Sequence, residues 1–356
     1  MRIPTFDGHN DVLLHLHRAP ERRAAIWAGA GGTQISGPTM RAGGMVGGMF
    51  AVYIPSPQPD DPALEAAMTA AMESPPYAMP LDAPVAQDHA QAVALSMIGH
   101  LKALERAGDL AICTDVAAIR AAIAADRTAA VLHMEGAEAI GPDLDALYLF
   151  HDLGLRSLGP VWSRPTVFGH GVPFACPASP DSGPGLTEAG LRLVRACNDL
   201  GILIDLSHMN EAGFWDVARS SRAPLVATHS NAHAITPSAR NLTDRQLDAI
   251  RDSDGMVGLN FAAAFLEPTG RRVAFDGWGP ILRHLDHLIT RLGEDRVGLG
   301  SDFDGALMPR ALVDAGSLPT LWAALSEAGY DAGLLRKLAL DNWLAALDRV
   351  WRTDRG

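Results

Sequence analysis

The chain has 356 residues, 48% hydrophobic and 20% charged, enough for a large buried core and outside the disordered and fibrous classes. One large domain or two ordinary ones would fit that length. A formal net charge of -12 argues against nucleic acid or an anionic membrane as partner, since either needs a basic patch to release counterions; small neutral or zwitterionic ligands stay open.

Eight short apolar runs follow one another at 3–7, 45–54, 129–134, 155–161, 202–207, 225–228, 256–261 and 297–301. Each ends in a polar or glycine-rich segment and leads into a helical pattern, the βα alternation of a parallel sheet. Amphipathic stretches lie between them at 85–106, 185–200, 210–219, 243–252 and 279–292. The first run continues into FDGHNDVLLHL, which is not the glycine-rich phosphate loop that a doubly wound open sheet would put there. The expectation is a closed (β/α)8 TIM barrel, an α/β fold forming one domain over 1–356. Two connections exceed ordinary length, the Pro-rich segment 55–84 and the Gly/Pro-rich loop 166–184. Long βα loops of a barrel open onto its active face. No shift in composition marks a second domain.

His9 and Asp11 stand two apart after the first run, a spacing that in a strand turns both side chains to one face, here the barrel interior. The third run ends at Glu135, the fifth at His208 and the sixth at His229. Strand ends of a barrel converge on one mouth, so these five residues share a site. A lone strand histidine is more often a core residue; the joint set of three imidazoles and two carboxylates reverses that reading. It suits Zn²⁺ or a similar divalent ion, and one bridging carboxylate would support a two-metal centre. The two lysines, Lys102 and Lys337, lie in helical patterns, which excludes a bridging carbamylated lysine in favour of Glu135.

His133 shares the inward parity of Glu135 and is read as a supporting residue behind the ligands. His15, His17, His89, His100, His151, His284 and His287 fall in helices or loops and are read as solvated or packing residues. The eighth run, RVGLGSDFDG, ends in Asp302, with Gly298 and Gly300 below it on the same parity, expected to leave room at the barrel floor. Asp302 is placed to pass a proton from the nucleophile to a leaving amine, whereas Asp304 reads as a cap or turn residue. Arg240, after the sixth run, carries the planar fork that clamps a carboxylate.

Three cysteines, Cys113, Cys176 and Cys197, are odd in number and widely spaced. They match neither a disulfide framework nor a zinc ribbon, and a reducing cytosol is the natural reading. The N-terminal MRIPTFDGHNDV has no apolar leader, no run reaches the roughly 18 to 20 apolar residues of a membrane span, and the C-terminal DRVWRTDRG is charged. A soluble cytoplasmic protein, neither exported nor anchored, is expected.

With these residues in place, the chain resembles the membrane dipeptidase (renal dipeptidase, peptidase M19) family of the amidohydrolase superfamily over nearly its whole length. The resemblance rests on DGHND at 7–11, MEG at 134–136, GILIDLSH at 201–208, THS at 228–230, SARN at 238–241 and GSDFDG at 300–305, in family order. It implies one zinc held by His9, Asp11 and Glu135, a second held by Glu135, His208 and His229, and a hydroxide bridging both. It also implies that Arg240 binds the C-terminal carboxylate of a dipeptide and that Asp302 acts on the proton. Family members cleave dipeptides, often with a D-residue on the C-terminal side; some open β-lactams, and they are commonly dimers, so a homodimer is implied. Here Trp162, a substrate-binding candidate, stands where the family's fourth strand ends in a substrate-contacting histidine, and His170 is the residue expected to reach into the mouth in its stead. The secretory and lipid-anchor signals of the animal enzymes are not found, as in a soluble bacterial-type relative. The same centre could instead hydrolyse N-acyl amino acids, cyclic amides or lactones, or the barrel could bind peptide or metal without catalysis.

Overall fold

All eight apolar runs form parallel strands: β1 (Thr5–Asn10), β2 (Met45–Tyr53), β3 (Thr128–Glu135), β4 (Leu155–Gly159), β5 (Leu203–Ile204), β6 (Val226–Ala227), β7 (Met256–Leu259) and β8 (Val297–Leu299). The structure, a computed structural model, describes residues 1–56 and 62–352. Residues 57–61 of the Pro-rich segment and 353–356 of the charged C-terminus lie outside the described residues. Neighbouring strands pair in chain order from β1 to β5 and from β6 to β8, and β8 returns to β1 through Asp7 opposite Leu299. A parallel bridge between Asp205 and Val226 joins β5 to β6 and closes the ring. The fold is the expected (β/α)8 barrel. Among the described residues no helix is long and apolar enough to cross a membrane.

Helices between the strands begin where side chains cap them. Thr187 accepts from the Gly190 N–H ahead of Glu188–Leu200, Asn210 from Gly213 ahead of Glu211–Ser220, and Thr243 from Gln246 ahead of Asp244–Asp252. Asn210 and Thr243, which the periodicity counts as first helical residues, are therefore caps, because their oxygens satisfy backbone donors that the helix leaves orphaned.

The lower barrel is filled by Phe6, Met49, Val131, Leu203, Val226 and Met256, which meet Trp343 and Leu347 of the C-terminal helix Asn342–Trp351. The Trp343 indole N–H donates to the Leu299 carbonyl at 2.8 Å. The glycines expected to leave room below Asp302 do not leave it open. A Cβ on Gly298 would lie 2.7 Å from Trp343 Nε1, and one on Gly300 1.9 Å from the Thr228 carbonyl. The missing side chains admit the indole and a neighbouring backbone.

At the opposite end the two long loops meet. Tyr77–Ala78, from the segment 55–84, pairs antiparallel with Ala175–Cys176, from the loop 166–184. The Tyr77 hydroxyl donates to the Gly270 carbonyl at 2.9 Å, and Met79 N–H to the Phe174 carbonyl at 2.9 Å. Together they wall one side of the mouth.

Candidate metal centre

The five predicted ligands converge. Glu135, the last residue of β3, puts Oε1 3.1 Å from His208 Nε2, 3.3 Å from His229 Nε2 and 3.6 Å from His9 Nε2. His9 Nε2 lies 3.3 Å from Asp11 Oδ2. The rings of His9 and His229 stack with centroids 3.8 Å apart. Three sets of donor atoms lie within 4.8 Å of one another: His9, Asp11 and Glu135; Glu135, His208 and His229; and His9, His229 and Asp302.

Local backbone departures aim these side chains. Asp11 follows β1 as the residue preceding the helix Val12–Arg18, with φ -111 and ψ 20, so it is not part of a plain strand. β5 and β6 stop short of their apolar runs, and the chain then turns into the mouth. His208 and Asp302 both adopt left-handed φ, 67° and 61°, a conformation that costs a non-glycine residue about 1 kcal/mol or more and collects at functional sites.

A second ring of residues fixes the ligands. His208 Nδ1 lies 3.0 Å from Ser163 Oγ, and His229 Nδ1 2.8 Å from Thr228 Oγ1. The Thr228 hydroxyl and N–H bond Asp205 at 2.6 and 2.8 Å. His133, behind the ligands, places Nδ1 2.8 Å from Ser157 Oγ and Nε2 3.7 Å from Asp205. Asp7, beneath His9, accepts from the Ser301 N–H at 2.7 Å and hydroxyl at 2.8 Å. Sequence reasoning missed Asp205, Ser163 and Asn260; for Asp205 the signal was present, an aspartate inside an otherwise apolar strand run.

Burial pushes Glu135 well above the ordinary carboxylate range, with His9 opposing. Burial works against a charged His9, but Glu135 and Asp11 outweigh it and push the ring up to about 10. His208 and His229 are driven far down, mainly by burial, which leaves both imidazoles neutral, the form that ligates metal. Asp302 is raised to about 6 by burial, against the pull of His9.

The donor set fits divalent cations. Among the described residues, neither ring nitrogen of the fully buried His9 has a hydrogen-bond partner, a costly arrangement for a polar group unless another bond is made there. Imidazole and carboxylate donors in two overlapping triads match zinc chemistry.

The remaining predicted residues fall at different depths. Asp302 lines a cavity of about 800 Å³ above the centre, with Asp11, Glu135, His208 and Trp162, and accepts from Asn260 Nδ2 at 2.9 Å. Arg240 is buried beside His229: its Nη1 donates to Ser230 Oγ at 2.8 Å, its Nη2 to the His229 carbonyl at 3.0 Å, and its Nε has no partner among the described residues. His170 is not among the residues lining the cavity; its Nδ1 lies 3.4 Å from the carbonyl of Gly185, just past the end of its own loop. Asp304 is a turn residue that accepts from the N–H groups of Gln34 at 2.7 Å and Ile35 at 3.0 Å. His15, read as solvated or packing, lines the cavity, 3.7 Å from Asp304.

The chain is similar to known proteins over most or all of its length. The solved structure of a metallo peptidase from Rhodobacter sphaeroides, liganded with a phosphinate mimic of the dipeptide L-Ala-D-Ala, is 59% identical with a TM-score of 0.96, covering 99% of this chain and 100% of that one. A second solved metallo peptidase, dipeptidase AC, is 58% identical with a TM-score of 0.95, covering 99% of each chain. An uncharacterised protein of the pqqA 5′ region of Klebsiella pneumoniae is 49% identical over 246 residues, 69% of this chain and 91% of its own length. The model of the membrane dipeptidase family (peptidase family M19) matches residues 1–355. The chain belongs to the membrane dipeptidase family.

Proposed function

We propose that the chain is a zinc-dependent dipeptidase that hydrolyses the amide bond of dipeptides, including those with a D-residue at the C-terminal position. The observation that carries this reading is the Glu135 carboxylate, with one oxygen within 3.1–3.6 Å of three imidazoles, which belongs to two overlapping groups of donor atoms and so could be shared by two cations. In this reading His9, Asp11 and Glu135 hold one ion, and Glu135, His208 and His229 hold the other. The D-residue follows from the ligand of the Rhodobacter sphaeroides relative, a mimic of L-Ala-D-Ala.

Bound there, a pair of zinc ions would polarise the scissile carbonyl and lower the pKa of water towards neutrality. Asp302, held by Asn260 at 2.9 Å, takes the proton of the attacking water and delivers it to the leaving amine. Burial raises its pKa, against the pull of His9, the direction that suits a residue acting first as base and then as acid. Arg240 holds the substrate's carboxylate. Its two bonds to Ser230 and His229 use only part of the five donors of a guanidinium. Trp162 lines the space for a side chain. The single-domain reading of 1–356, a reducing cytosolic setting supported by three buried free thiols, and a homodimer carried by the resemblance alone belong to the same proposal.

Glu135→Ala is expected to abolish both metal retention and turnover; full activity in that variant ends the assignment. Asp302→Asn should retain metal, because asparagine tolerates the same left-handed backbone, while kcat falls about a hundredfold or more, the scale of losing a general acid–base. A panel of L,L- and L,D-dipeptides run against N-acyl amino acids and lactones, with metal content measured, separates this reading from the related hydrolase and the non-catalytic barrel.

A further inference from the structure

Arg164 is among the largest fully buried side chains of the molecule, on the segment that follows β4. A guanidinium taken out of water costs several kcal/mol unless its donors are matched. Here they are. Nε donates to Glu138 Oε1 at 2.7 Å, Nη1 to Ser56 Oγ at 3.1 Å, and Nη2 to the Ile54 carbonyl. Two rings flank it, with centroids 5.5 Å away for Tyr53 and 5.2 Å for Trp162. The partners sit just beyond the ends of β2 and β3, so one side chain ties together three successive strand ends of the barrel mouth. None of its bonds reaches a proposed metal ligand.

The tie ends on a surface. The Trp162 indole meets Tyr53 at 5.2 Å and Phe174 at 5.6 Å, both edge-on, and lies 5.7 Å from the His208 ring. Phe174 stacks on Phe265 at 6.1 Å. All four aromatics line the cavity above the metal centre, and Tyr53 is paired in register with Glu135. A continuous aromatic face therefore starts at the centre and runs outward.

We infer that the buried Arg164–Glu138 pair is a positioning device that sets Trp162 and Tyr53 as a rigid wall beside His208, and that this wall receives an apolar side chain of the dipeptide. The second half rests on the dipeptidase reading; the first does not. Fixed aromatic faces favour apolar groups because little ordering remains to be done on binding.

The test uses three variants, each checked for melting temperature and metal content: Trp162→Ala, Arg164→Lys, and the double variant Arg164→Met with Glu138→Leu. Replacing a buried pair by apolar residues of similar volume is often neutral for folding, and Arg164→Lys keeps the charge but loses the fork. The wild-type enzyme is expected to prefer a leucine-bearing dipeptide to its aspartate counterpart. Trp162→Ala and the double variant should raise KM for the leucine substrate about tenfold, the scale of losing one apolar contact surface, leave kcat close to wild type, and erase the preference. Arg164→Lys should fall between. Hydrogen exchange at 53–56 and 162–164 should rise in the double variant and in Arg164→Lys. A lowered melting temperature with unchanged KM, preference and exchange makes Arg164 merely structural and overturns the inference. An unchanged preference in Trp162→Ala overturns the wall. A wild-type enzyme that cleaves no dipeptide overturns the functional reading and the substrate half together, while the exchange measurement still decides the tie.

Discussion

The Asp205 carboxylate accepts from the Ser207 N–H at 3.0 Å, the Thr228 N–H at 2.8 Å and the Thr228 hydroxyl at 2.6 Å. A hydroxyl has one proton to give, so Thr228, having given it to Asp205, can only accept at its 2.8 Å contact with His229 Nδ1. The proton of His229 is thereby fixed on Nδ1, and the lone pair of Nε2 faces Glu135 and His208. Partners of this kind set the tautomer of a ligating histidine, and losing one typically weakens metal affinity about 10- to 100-fold. Thr228→Val, which keeps the shape and removes the hydroxyl, should weaken binding at the His208–His229 side by that factor and leave the other ion in place. Titration of the metal-free protein with zinc reads the two sites separately, and two unchanged affinities would remove Thr228 from the centre. The five candidate ligands could be picked out in the sequence because they lie at or just beyond the ends of apolar runs. The residues that orient them could not, since serine and threonine are too common for a local pattern to single them out.

At the scale of elements, the strands were legible and their complement was not. Apolar runs of four to ten residues ending in polar groups identify β1 to β8, because both faces of a barrel strand are buried and no alternation is needed. Which side chain fills the floor is a long-range matter. Gly8, Gly258 and Gly298 come from three different strands, and a Cβ on any of them would meet the Trp343 ring at 2.4, 3.0 and 2.7 Å. The small residues become intelligible only once the helix Asn342–Trp351 is docked beneath them. Trp343→Ala removes the side chain that all three glycines have as a close neighbour, and no side chain can grow into the space from a glycine. The expected loss is at the upper end of the range for large-to-small core changes, about 3–5 kcal/mol, read as a lower midpoint in denaturant unfolding. A midpoint within error of wild type would show that the floor is not held by the indole. The pairing of Tyr77 with Cys176 across the two long loops was equally hidden, because two-residue strands carry no periodicity.

For the whole molecule, the ligand positions matter more than their number. His9 comes from β1, Asp11 from just beyond it, Glu135 from β3, His208 from beyond β5 and His229 from beyond β6, so a cation held between them would link strand ends spread around the ring, including both sides of the β5–β6 seam. That seam is the thinnest part of the closure: a bridge between Asp205 and Val226, with the Leu206 N–H donating to the Val226 carbonyl at 2.8 Å. Asp11, Glu135, His9, His208 and His229 are all buried, and without a cation to bond them their polar atoms carry the cost of leaving water with little in return. A ligand that binds only the folded state stabilises it by about 2.7 kcal/mol when present at roughly a hundredfold its Kd, and two such ions act together. Dialysis against a chelator should therefore lower the melting temperature by about 5 °C or more, given a few degrees per kcal/mol for a large domain, and zinc should restore it. Glu135→Gln, which shares no second charge between the two triads, should melt at nearly the same temperature with and without chelator. If the wild-type protein also melts at one temperature in both conditions while its metal content falls to zero, the bound ions contribute nothing to holding the ring closed, and the strand ends meet at the mouth without their help.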